Sequence, residues 1–240
     1  MKVALINASP RGKISTSNRL LKEVRAMLPE DTDIAEIHAH KETLTDEQRG
    51  NMMASDIWVF ANPLYIDSLP GQLLAVLEEL ESACRENQNQ RHKVYVLVNC
   101  GFHEAGQTEP AIRVYQNWCR RAGLEWCGAV GIGGGGAIGF MPAEMPFDAG
   151  PLKAIHNALV QIAGFIKTGS AMENTSVSFG LPRFLYILFA HYGWRKAIRA
   201  NGKKTRDLYR KPAEEVSCAG AGGRESCLTL QQTWRKKEYE

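Results

Sequence analysis

A chain of 240 residues with 44% hydrophobic content has enough apolar side chain for a packed core, as one large domain or two small ones. Its net charge of +3, with the basic residues scattered, is too small to argue for a nucleic-acid partner. No apolar run approaches the roughly 18 residues that cross a bilayer, so no integral membrane segment is expected, and the opening run is too short for a signal peptide. The cysteines (Cys84, Cys100, Cys119, Cys127, Cys218, Cys227) are dispersed and form no CxxC pair. That spacing argues against a metal site and a disulfide framework, and for a reducing, cytoplasmic setting.

The first predicted strand is Val3-Ala4-Leu5-Ile6, a short apolar run with β-branched members. Residues 8–18 come next as a loop of hydroxyls, turn-formers and cations. Leu20, Leu21, Val24 and Leu28 then recur at helical spacing, which opens a helix near Ser17. One hydroxyl would suffice to cap that helix. Ser15, Thr16, Ser17 and Asn18 in a row, with Ser9 and Arg11 before them, favour an anion site at the helix start.

Residues 33–38 alternate and read as an edge strand, and a helix is expected over 46–53, capped near Thr45. Ile57-Trp58-Val59-Phe60-Ala61 is a third strand, ending in Asn62-Pro63-Leu64-Tyr65-Ile66-Asp67-Ser68-Leu69-Pro70-Gly71, and Leu73, Leu74, Leu77 and Leu80 resume helical spacing. Val94-Tyr95-Val96-Leu97-Val98 is a fourth strand, succeeded by the loop from Asn99 to Glu104 and a helix over 110–121 with proline in its first turn. Residues 126–132 form a fifth strand running into four glycines, Gly133 to Gly136, which read equally as a close backbone turn near a ligand or as a flexible loop. A last major helix spans 152–166. Five alternations of strand and helix predict a parallel sheet covered by helices on both faces.

In such a sheet, ligands sit beyond the carboxyl ends of the strands, where strand order reverses. The first loop supplies an anion site, the loop after the third strand an apolar edge, and the loop after the fourth strand backbone N–H groups at Cys100 and Gly101 beside Phe102. Together they describe a mononucleotide with a planar heterocycle. Ser9-Pro10-Arg11 with Ser15 and Ser17, then Asn62-Pro63-Leu64-Tyr65 through Leu69-Pro70-Gly71, resembles the flavodoxin-like, NAD(P)H-dependent FMN reductases over about residues 1–170.

The resemblance implies a flavodoxin-like three-layer, doubly wound, five-stranded parallel sheet of order 2-1-3-4-5. It implies FMN as cofactor and NADH or NADPH as co-substrate. The FMN phosphate would fall to Ser9, Arg11, Ser15, Ser17 and Asn18. The ring would pack on Pro63, Leu64, Tyr65 and Ile66 and border Asn99, Cys100, Gly101 and Phe102. Ala8 departs from the family's usual glycine, and the compact cysteine cluster of iron–sulfur relatives is missing, so no metal is expected. Because the flavin carries the chemistry, no catalytic side chain is named. Cys100 at a strand end reads as a packed thiol.

The expected function is therefore electron transfer from a nicotinamide through FMN to a quinone, free flavin or similar small acceptor. The alternatives are a flavodoxin-type electron carrier, against which +3 weighs, and a binding module that has lost its flavin. Domain limits are placed at 1–170 for the FMN-binding domain, 171–211 for a helical appendage and 212–240 for a poorly ordered tail. The appendage carries Phe184-Leu185-Tyr186-Ile187-Leu188-Phe189 and then a basic stretch. It could pack on its own subunit, pair two subunits or lie on a membrane surface. Packing and dimerisation are favoured, giving a homodimer or higher oligomer.

Overall fold

The computed structural model describes residues 1–86, 91–142 and 145–209; the predicted tail, with Cys218 and Cys227, lies outside the described residues. Strands β1 (Lys2–Asn7), β2 (Asp33–His38), β3 (Ile57–Pro63), β4 (Lys93–Asn99), β5 (Glu125–Ile132) and β6 (Thr175–Val177) form one parallel sheet of order β2-β1-β3-β4-β5-β6. Helices α1 (Thr16–Met27), α2 (Asp46–Met53), α3 (Gly71–Glu86), α4 (Glu109–Ala122), α5 (Gly135–Phe140), α6 (Lys153–Thr168) and α7 (Arg183–Ala200) connect and extend it. The flavodoxin-like class stands, but the sheet has six strands rather than the five expected. β6 is only three residues long, too short to register as an alternating run in the sequence.

Alternation within each strand sends side chains to two separate cores. On one face Ile6, Trp58, Phe60, Val94 and Val96 pack under Leu73 and Leu77 of α3 and Tyr115 and Trp118 of α4. On the other, Val3, Leu5, Val59, Tyr95 and Leu97 meet Leu20 and Val24 of α1 and Ile155, Leu159 and Ile162 of α6. β3 is buried through Asn62, and β4 and β5 are buried for most of their length, so both faces of the centre are closed. β2, at the edge, buries only Ile37.

Local chemistry sets the helix ends. Ser15 caps α1 by accepting from Asn18 N–H, and Thr45 with Gln48 forms a reciprocal capping box on α2. Gly123 and Gly169 stop α4 and α6 in the left-handed conformation. By contacts, the chain divides into a first unit, Met1–Ala190, and a second beginning at His191.

Candidate active site

The site begins where β1 ends. The Asn7 side-chain N–H donates to the Gly12 carbonyl (2.8 Å), its Oδ1 accepts from Ser9 N–H (3.2 Å), and Ala8 N–H reaches across to Ala61 O (2.9 Å). Ala8 is fully buried and has no positive φ, so alanine is accommodated without backbone strain. Gly12, at φ +57°, makes the turn that a side chain would oppose.

The five side chains expected on the phosphate fall into two groups. Ser15 and Asn18 are tied into the loop: Ser15 Oγ–H donates to Gly12 O (2.6 Å) and Asn18 Nδ2 to Lys13 O (2.9 Å). Ser9 and Ser17 are buried but keep a proton to give. Ser9 Oγ accepts from Arg11 N–H (3.3 Å) and Ser17 Oγ from Asn99 Nδ2 (2.9 Å), and neither hydroxyl donates to a described residue. The Arg11 side chain is exposed and makes no hydrogen bond or ion pair among the described residues. Two ungiven hydroxyl protons, a free guanidinium and the first turn of α1 are a donor set of the kind that takes a phosphate.

Asn99 joins three strand-end loops. Besides Ser17, its Nδ2 donates to Asn62 O (3.0 Å), while Asn62 Oδ1 accepts from the buried Tyr115 hydroxyl (2.8 Å). Leu64 N–H bonds Asn99 O (2.7 Å), so Pro63 and Leu64 are held beside β4. The chain then turns through Tyr65-Ile66-Asp67-Ser68, with Tyr65 and Ser68 exchanging both backbone bonds at 3.0 Å. Ile66 (φ 48°) and Asp67 (φ 54°) occupy the left-handed region, and Ile66 is 99% exposed. A β-branched residue held there, facing solvent, is strain of a kind that concentrates at ligand contacts.

The loop after β4 differs from expectation at one atom. Cys100 N–H is not open to a ligand, because it donates to Ile132 O (2.9 Å) to continue the pairing with β5. Its thiol is buried and points at the Phe102 and Glu104 carbonyls, and burial raises its pKa, so it remains a thiol at neutral pH. Of the four loop residues expected to border the ring, Gly101 and Phe102 are the exposed ones.

Further residues carried no motif of their own. Of the four glycines, Gly133 to Gly135 are packed where the chain turns into α5, and Gly136 is exposed: Gly134 N–H donates to Phe102 O (2.6 Å) and Gly135 N–H to Cys100 O (2.7 Å). A Cβ on Gly135 would stand 2.6 Å from Asn99 Oδ1, so the run presses against the site's amide. Thr16 Oγ1 donates to Gly135 O (2.9 Å), and Arg19 donates to the carbonyls of Ile138, Met141, Pro142 and Met145 at 3.0–3.3 Å. From the C-terminal side, the Tyr186 hydroxyl donates to Gly101 O (2.7 Å) and Arg183 pairs with Glu104. A run of glycines was the only signal of this crowding in the sequence.

A cleft of about 230 Å³ opens between β1, β2 and α1, lined by Asn7, Lys13, Asn18, Lys22, Glu36 and His38 among others. It is small for a flavin nucleotide and takes no residue from the loops after β3 and β4. A flat ring is better served by those loops, where Tyr65, Ile66 and Phe102 are exposed.

Residues 1–121 match the family model described as NADPH-dependent FMN reductase. The chain belongs to this family. The match runs from β1 to the last turn of α4 and includes all three loops of the site. Membership places the chain among flavin-dependent oxidoreductases. No curated protein matches it. Among solved structures it is similar to a flavone reductase (12% identity over 72% of this chain and 66% of that one, TM-score 0.50). It is also similar to a flavodoxin, WrbA-like protein from Agrobacterium tumefaciens (15%, 70% and 97%, TM-score 0.47) and an NADPH-quinone reductase from P. pentosaceus (14%, 68% and 98%, TM-score 0.47).

Proposed function

We propose that this FMN reductase family member binds FMN across the ends of β1, β3 and β4 and moves electrons from NADH or NADPH to a small-molecule acceptor such as a quinone or free flavin. Bound there, FMN would supply the hydride-accepting, two-electron chemistry. Arg11 and the hydroxyls of Ser9 and Ser17 would hold the phosphate. Pro63, Leu64, Tyr65, Ile66, Gly101 and Phe102 would fix the ring, and Ser15, Asn18, Asn99 and Cys100 would hold the loops in place.

The observation that carries the reading is the Asn99 amide. Its two bonds, to Ser17 Oγ and Asn62 O, set the phosphate loop and the ring loop at one fixed separation. Preorganisation of this sort lowers the ordering cost of a ligand that must touch both. The raised pKa of Cys100 supports a reaction without a thiolate.

The test is anaerobic stopped-flow mixing of the FMN-loaded protein with NADH and, separately, NADPH. Bleaching of the flavin band with either supports the reductase reading. A protein that binds FMN but is bleached by neither is an electron carrier, and one that takes up no FMN has lost the cofactor.

A further inference from the structure

Helix α7 has no buried residue, and its two halves differ in chemistry. Phe184, Leu188 and Tyr192 are 70%, 60% and 67% exposed, with Phe189 beside them at 59%. Phe184, Leu188, Tyr192, Arg195 and Arg199 recur at intervals of three or four residues and share one face. Beyond Trp194 the chain becomes basic: Arg195 and Arg199 continue that face, and residues 195–206, which run past the end of α7, hold six lysines and arginines and no carboxylate. Since the whole chain is +3 and these twelve residues are +6, everything else sums to −3. This stretch is thus a local run of cations without carboxylates, in a chain whose other basic residues are scattered among acidic ones.

We propose that α7 docks on an anionic lipid surface. Phe184, Leu188, Phe189 and Tyr192 sink to the boundary between headgroups and acyl chains, and Arg195, Lys196 and Arg199 meet the lipid phosphates. The helix lies in the interface, since no described helix is long and apolar enough to cross a membrane. The reading is independent of whether the chain binds flavin.

A bilayer satisfies both halves of the helix at once. A second copy of the chain, the use favoured from the sequence, does so less well. A two-fold contact would lay the cation clusters against each other or set each on the partner's aromatic half, and in neither case do the cations meet an anion as they would at lipid phosphates. The beginning of the helix packs on the chain's own domain, where Tyr186 and Arg183 reach the loop after β4.

The experiment is flotation of the full-length protein with vesicles of phosphatidylglycerol and phosphatidylcholine, and with phosphatidylcholine alone. The protein is expected to float with the anionic vesicles only, and less so as salt is raised. Replacing Arg195, Lys196 and Arg199 together by glutamine should lower partitioning about a hundredfold, at roughly fivefold per cation. The pair Phe184→Ser and Leu188→Ser should abolish flotation while leaving the melting temperature in place, because both side chains are exposed. Flotation with neither vesicle, or equally with both, overturns the proposal. So does a dimer in sedimentation equilibrium that the Phe184→Ser, Leu188→Ser pair converts to monomer, which would assign the face to a second copy.

Discussion

Arg11 and Ile66 are the two residues whose state in the structure makes most sense with a ligand beside them. Arg11 is a cation in a loop of hydroxyls with no partner among the described residues, and a charge-assisted contact is typically worth about 1.5–3 kcal/mol. Arg11→Ala is therefore expected to raise the Kd for FMN about tenfold to a hundredfold in a fluorescence titration, with little change in stability. An unchanged Kd would remove Arg11 from the phosphate site. Ile66 makes the opposite trade. Its backbone is left-handed and its side chain fully exposed, so the fold gains little from isoleucine there. Asparagine tolerates that conformation far better, and Ile66→Asn is expected to stabilise the protein by about 1 kcal/mol in denaturant titration. If Ile66 lies on the ring, the same variant binds FMN more weakly. A gain in stability with full affinity would make Ile66 a turn residue only.

Whole elements were legible in the sequence wherever one local signal decided them. The buried strands β1, β3, β4 and β5 announced themselves as short apolar runs, and α2 by the spacing of Thr45 and Gln48. Pairing across the chain had no such signal. Nothing about Cys100 says that its N–H belongs to Ile132, nothing about Asn99 says that it bridges Ser17 and Asn62, and β6 is held by a neighbour rather than by a pattern of its own. His92 is of the same kind. It sits at the start of β4 with no motif around it, yet it is fully buried, stacked on Trp58 with ring centroids 4.3 Å apart, and bonded through Nδ1 to Ser55 O (2.7 Å). Burial holds its pKa below the usual histidine value. The unfolded chain therefore binds a proton that the folded chain refuses, between the lowered pKa and about 6.5. Stability should be full above about pH 6.5 and decline as pH falls through that window. His92→Asn, whose amide nitrogen stands where Nδ1 does and can keep the bond to Ser55 O, should flatten this part of the profile of denaturation midpoint against pH. A profile identical to that of the parent chain would place the acid sensitivity elsewhere.

For the molecule as a whole, the question is where the folded domain ends. The family match stops at residue 121, but the sheet does not. β5 is covered on its outer side by residues beyond α6: Met172 N–H donates to Cys127 O (2.8 Å), Ala129 N–H to Asn174 Oδ1 (3.1 Å), and Gly133 N–H to Val177 O (2.9 Å). Phe179 closes the core over Gly134, whose φ of +79° and close approach to that ring leave no room for a side chain. A chain ended after Gly169 would expose the whole edge of β5 and lose a buried phenylalanine, worth about 1.5–3 kcal/mol by itself. A chain ended after Leu181 keeps β6 and Phe179 and lacks only α7 and the residues C-terminal to it. The shorter form is expected to melt well below the longer one and to self-associate through its bare strand edge, while the longer form melts close to the full chain. Both lack the Tyr186 hydroxyl on Gly101 O, so the comparison isolates β6 and Phe179 from the contact of α7 with the loop after β4. Equal melting temperatures for the two forms would mean that β6 adds an edge without adding stability. In that case the fold would be complete with five strands.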